Sequence, residues 1–221
     1  MKLLSLILPC MLAATPVCEF QGSGFLIDEW KISQVYVSSQ NQSEYKEDVI
    51  IKVKTGAEEI CIVPTVNYGY DPSVFLGDFV GNGLSQIFYS VNSGGSGAYS
   101  AGQVISLQGG ETKIIFDSEN FKNTAVGKLN ENIVKIEYKN QNYYIDATNA
   151  DLSGEKEVYI SDVNTVMPIY NGGLGKYQIM QLQKVYIDYT ANNVGYLASI
   201  IDLTLDGGKI VSVGTFSNFD Y

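Results

Sequence analysis

From Trp30 onward, apolar and polar residues alternate in short runs, and each run closes on a turn-forming residue. "WKISQVYVSS" opens the series, and "VIIKVK" and "EEICIVP" flank "TGA". "QVISL" and "TKIIFD" flank "QGGE", and "NIVKIEY" and "QNYYIDA" flank "KNQ". "KEVYI", "YQIMQLQKVYI", "GYLASIIDLTL" and "KIVSVGTF" finish it, with "DGG" between the last two. Side chains at period two stand on one face of a strand, and paired runs across a Gly- or Asn-containing turn read as hairpins. No segment sustains the i, i+3, i+4 spacing of an amphipathic helix. The chain is therefore expected to be all-β, with antiparallel sheets in a propeller, a barrel or a sandwich.

A bias toward 16 Tyr and 22 Gly supports strands and turns, and 45% hydrophobic residues supply a core. At 221 residues the chain reads as one all-β domain over 25–221. It contains no histidine, and every basic residue is lysine. That removes the commonest general base and zinc ligand, and the bidentate fork that reads phosphate and guanine. A net charge of -10 repels a polyanion, so nucleic acid is excluded as a partner. The same acidity suits solubility, cations or a cationic partner.

"MKLLSLILPCMLAATPVCEF" carries one cation, Lys2, then an apolar run and the small residues Ala13, Ala14 and Thr15. This is the layout of a secretory signal peptide over 1–15, with the chain unstructured to about residue 20. The run is too short to span a membrane, and no second stretch of the mature chain is long and apolar enough. The expected location is secreted or cell-surface. A lipid anchor on Cys10 or Cys18 is the alternative, although Pro9 and Val17 stand where a lipobox wants a small residue. Cleavage near Thr15 would leave Cys18 and Cys61, as one disulfide or as two thiols; both readings stay open.

A shift of about ninety residues superimposes two parts of the chain. "GNGLSQIFYSV" falls on "GLGKYQIMQLQ", with Gly81 on Gly173, Gly83 on Gly175 and Gln86 on Gln178. A loop, a strand and a Gly-Gly hairpin follow each, at Gly109-Gly110 and Gly207-Gly208. The related units run over about 66–117 and 158–216. Radial repetition of such units is how a propeller limits exposed sheet edges.

"FLGDFVGNGLSQI" and the following "NSGGSGAYSAGQVIS" resemble the FG-GAP/VCBS repeat group, in particular small secreted Firmicutes proteins that carry it. The resemblance implies propeller-like repeats of antiparallel four-stranded sheets, with a β-sandwich as the alternative. Where the motif is intact it also implies calcium between strands, and it implies no reaction. Carried onto this chain, Asp78 matches a ligand, Val80 offers no side-chain oxygen, and Asn82 supplies a neutral carbonyl. Leu84 would give its backbone carbonyl, and Gln86 replaces the closing carboxylate. Calcium affinity follows the count of charged ligands, so the set implies a weak or vestigial calcium loop. In the second unit the aspartate position falls on Tyr170 or a neighbour, no carboxylate remains, and Lys176 adds a like charge.

Glu58-Glu59 and Asp28-Glu29 are sequence neighbours, and neighbours in a strand point to opposite faces, so neither is a good acid/base couple. Tyr68, Tyr70, Tyr138, Tyr143, Tyr144, Tyr159, Tyr186 and Tyr189 form a loose aromatic set, suited to ligand contact or to cross-strand pairing. The expectation is a non-catalytic extracellular binding or structural module whose partner is a protein or carbohydrate at the cell surface. An extracellular hydrolase using unidentified carboxylates is the alternative.

Overall fold

The alternation read from the sequence becomes strands along most of the chain. A computed structural model describes residues 15–20, 26–27, 30–31, 34–55, 58–94, 99–108, 111–153, 156–189 and 191–217. In chain order the strands are β1 (Thr15–Phe20), β2 (Leu26–Ile27), β3 (Trp30–Lys31), β4 (Gln34–Ser39), β5 (Tyr45–Lys46) and β6 (Ile50–Thr55). Next come β7 (Glu58–Ile62), β8 (Gly69–Gly77), β9 (Gln86–Gly94), β10 (Tyr99–Gln108) and β11 (Glu111–Asp117). Then follow β12 (Val126–Asn130), β13 (Ile133–Tyr138), β14 (Gln141–Asp146), β15 (Val158–Asn171), β16 (Lys176–Ile187), β17 (Asn193–Thr204) and β18 (Gly207–Ser217). A 3-10 turn over Ser118–Asn120 is the only helical element among the described residues.

These strands form four antiparallel sheets and a small β2–β3 ribbon. The first sheet runs β1-β4-β6-β7, the second β11-β10-β9-β8-β5, the third β12-β13-β14 and the fourth β15-β16-β17-β18. None of the four closes on itself. β8–β11 and β15–β18 are both four-stranded meanders, with the glycine turn between the first and second strand of each.

Three apolar cores tie the sheets together. Val35, Val37 and Ile51 of the first sheet meet Leu76, Ile87 and Tyr89 of the second. Phe88, Val104 and Phe116 on the opposite face of the second sheet meet Val166, Ile179 and Ile201 of the fourth. Val134, Ile136 and Ile145 of the third sheet meet Val185, Ile187 and Leu197 of the fourth. The second sheet is thus covered on both sides, which is why "QIFYSV" lacks the alternation of a half-exposed strand. The fourth sheet serves two cores with one face, and 12-residue strands, roughly 40 Å long at the usual rise, make that reach.

Two expectations are corrected. Residues 15–20, expected to be unstructured, form β1, paired along β4 from Thr15↔Ser39 to Phe20↔Val35. β15 is far longer than "KEVYI": it continues through Pro168 to Asn171. Proline cannot donate to a ladder, and it is tolerated here because β15 is the edge of its sheet.

Of the expected signal segment 1–15, residues 1–14 lie outside the described residues. Cys61 on β7 is disulfide-bonded. The Cys18 side chain, the other half of the expected bridge, lies outside the described residues.

Candidate functional site

Residues 78–85 connect β8 to β9, whose first residue is Gln86, where the second and fourth sheets meet. Gly81 (φ 84°) and Gly83 (φ 81°) take left-handed conformations that a side chain would strain, and so curl the backbone around one carboxylate. Asp78 Oδ1 accepts from the amides of Gly81 at 2.6 Å and Asn82 at 3.3 Å, and Oδ2 accepts from that of Gly83 at 2.8 Å. Asn82 Oδ1 accepts from the Leu84 amide at 3.1 Å. Gln86 is buried: its Oε1 accepts from the amides of Phe79 (2.7 Å) and Val80 (3.1 Å). Its Nε2 donates to the Leu84 carbonyl at 2.9 Å.

The structure therefore brings Asp78, Asn82, Leu84 and Gln86 together, as the motif implied. Every oxygen nominated for calcium, however, already accepts a hydrogen bond inside the loop. Calcium wants six to eight oxygens, several of them anionic. Only one carboxylate is present, and no group of three His, Cys, Asp or Glu side chains that could hold a metal ion occurs among the described residues. This donor set does not fit the ion. The Gln86 amide instead links the two arms of the loop, which a cation would do in an intact motif. Millimolar calcium should accordingly leave the melting temperature unchanged, since a ligand of the native state must raise it. A rise that disappears in Asp78→Ala would reverse this reading. Asp78→Ala without calcium should cost about 1–2 kcal/mol, because three amides lose their acceptor.

The turn between β15 and β16 is built in the same way from neutral groups. Asn171 Oδ1 accepts from the amides of Gly173 (3.0 Å) and Leu174 (3.2 Å), and Nδ2 donates to Gln178 Oε1 at 2.9 Å. Asn171 thus takes the role of Asp78, and Gln178 stands where Gln86 does. The two turns also dock on each other. The Tyr177 amide donates to the Asp78 carbonyl at 2.7 Å, and a Cβ on Gly77 would lie 2.6 Å from the Tyr177 ring. Phe79, fully buried, sits against Phe75, Phe88 and Tyr177, with ring centroids 5.6 to 6.3 Å away.

Lys176, expected only as a like charge against a cation, proves to be a structural group. It is 8% exposed, and its Nζ donates to the Leu203 carbonyl at 3.1 Å and pairs with Asp202 Oδ1 at 2.9 Å. Gln178 Nε2 donates to the same oxygen at 3.0 Å. Burial pushes the Asp202 carboxyl up, but the hydrogen bonds from Lys176 and Gln178 and the ammonium charge outweigh it. The group is held below its ordinary value.

A cleft of about 720 Å³ opens where edges of the second, third and fourth sheets diverge. Ile115, Phe116, Phe121, Ile201 and Ile210 contribute apolar lining, and Ile114, 44% exposed, lies at the rim. Asp117 and Glu119 line it from β11 and the 3-10 turn, and Lys139 and Lys209 from the β13–β14 turn and from β18. Asp117 is already engaged: Oδ2 accepts from Gln103 Nε2 at 2.8 Å, and Oδ1 caps the turn at the Glu119 amide, 3.0 Å away. Sequence reasoning did not nominate this cleft. Its residues come from five separated segments, and no local spacing signals their convergence.

The tyrosines do not form one face. Tyr138 is buried in the third core, and Tyr159 stacks on its cross-strand partner Tyr186 at 5.4 Å. Tyr70 meets Tyr45 edge-on at 5.1 Å, with Tyr68 beside them. Tyr189 donates to Asp151 at 3.1 Å. Tyr143 is half-buried and Tyr144 exposed on β14. Glu59 accepts from Tyr36 and pairs with Lys52 at 3.4 Å, while Asp28 and Glu29 lie outside the described residues.

No family model matches the chain, and no solved structure matches it. The chain is similar to the Uncharacterized protein YybI of Bacillus subtilis (strain 168), at 24% identity over 153 residues. The match covers 61% of this chain and 58% of that relative, so the chain spans less than two thirds of its length.

Proposed function

We propose that the protein is an extracellular, non-catalytic binding module, a propeller-like stack of related sheets whose ligand seat is the three-sheet cleft. The observation that carries this reading is the cleft itself: apolar side chains inside and charges of both signs around them. Such a lining suits a protein segment that inserts an apolar side chain and flanks it with charge. A carbohydrate is the other surface ligand it could take. The units at 66–117 and 158–216 are copies of one ancestral unit. Supporting this are the two meanders, the equivalent turns and the matching places of Gln86 and Gln178. Export rests on the N-terminal pattern of the sequence.

Asp117 and Glu119 in one cleft also give the hydrolase alternative its first named pair. A single double variant, Ile114→Glu with Lys209→Glu, tests the binding reading on two exposed side chains. Retention of the purified chain on envelope fragments of the producing cell should fall at least tenfold, with the melting temperature unchanged. Equal retention would remove the cleft as the seat. Turnover of glycoside substrates that vanishes in Glu119→Gln would replace a binding module with an enzyme.

A further inference from the structure

The core-facing side of the fourth sheet is interrupted by a polar band. On β16, Ile179 belongs to the second core and Val185 to the third, and Gln181 and Gln183 lie between them. On β17, Ser199 lies in the same way between Leu197 and Ile201, directly opposite Gln181. Gln181 is 1% exposed, and Gln183 and Ser199 are each 2% exposed. Gln183 Nε2 donates to the Ser161 carbonyl at 2.9 Å. Both side-chain polar atoms of Gln181, Oε1 of Gln183 and Oγ of Ser199 have no hydrogen-bond partner of good geometry in the protein. The Tyr138 hydroxyl approaches Ser199 without forming such a bond; burial raises its pKa, and the nearby Ser199 lowers it again in part.

A buried donor or acceptor left without a partner is among the larger penalties a fold can carry. Four on neighbouring strands could together rival the whole margin of a typical domain. Apolar burial elsewhere would not select glutamine at two successive core-facing positions of one strand. The groups need small neutral molecules that both donate and accept. Water meets that need in an enclosed polar space, with about three hydrogen bonds each.

We propose that Gln181, Gln183 and Ser199 form a built site for a cluster of ordered water between the second and third cores. Gln181 supplies two donors and an acceptor, Gln183 an acceptor, and Ser199 one of each. Ile201, which lines the cleft, is two residues from Ser199 on the same face of β17, so the cluster lies against the inner wall of that cleft.

Two measurements on the full chain decide it. In the wild-type protein, water-selective nuclear Overhauser experiments should give long-lived water cross-peaks to the Gln181 and Gln183 side-chain amides. Absence of both would overturn the proposal. In the second, Gln181→Met keeps the volume but removes the polar atoms. If water satisfies those atoms, the substitution strands the remaining cluster and lowers the melting temperature by several degrees. If they stand unsatisfied in a dry core, it raises the melting temperature, and the water site is refuted. Should the Gln181→Met chain fail to fold, the wild-type cross-peaks decide alone: their presence upholds the site and their absence removes it.

Discussion

Phe79→Ala should lower the melting temperature by roughly 10 °C, with the loop around it otherwise intact. Phe79 is the aromatic residue of "GDFVGNG", fully buried against Phe75, Phe88 and Tyr177. Truncating a buried phenylalanine costs about 3–5 kcal/mol through lost transfer energy and the cavity left behind. For a chain of this length each kcal/mol moves the midpoint by about 2–4 °C. The amides of Gly81 and Gly83 bond to Asp78, not to the ring, so the turn itself should persist. Calorimetry of wild type and variant measures the shift. A loss under about 1 kcal/mol, the worth of a single hydrogen bond, would mean that the loop is held by its own hydrogen bonds and not by this anchor.

Asp202→Asn should come close to that cost, and its effect should depend on pH. Removing the charge leaves the Lys176 ammonium buried without its counter-ion, and breaking such a pair typically costs about 3–5 kcal/mol. The carboxylate is more exposed than the lysine, which places the expectation at about 3 kcal/mol, the lower end of that range. The folded pKa of Asp202 lies below its ordinary value. Its contribution is therefore fully present above the unfolded value near 4 and is lost as pH falls through the folded value. Wild type and variant should differ most at pH 6–7 and converge toward pH 2–3 in urea melts. A difference independent of pH over that span would assign the loss to the Gln178 hydrogen bond and not to the charge.

The strands were legible in the sequence wherever one face meets water. "NIVKIEY" alternates, and β13 alternates with it, burying Val134, Ile136 and Tyr138. β15 escaped because its central part, "SDVNTVMPIY", carries Asp, Asn and Pro, the residues that usually break a strand. An edge position accommodates all three, since one side of the ladder needs no donors. The Asp78 loop was legible as a loop, and the four residues nominated in it do converge. What the sequence could not show was the partner of each oxygen, because a glutamine amide and a cation can occupy the same chemical role. The cleft and the buried glutamines depend on which sheets face each other, and that is decided by contacts distant in sequence.

β16 and β17 run as continuous chains through the second core, the polar band and the third core. The second and third cores are therefore not parted by a break in either strand. An opening that frees β17 at Ile201 pulls on Leu197 beyond the band through covalent bonds. The second sheet extends the same tie to the first core through its opposite face. A pulling force applied along β17 should thus load the second and third cores together, and not one after the other.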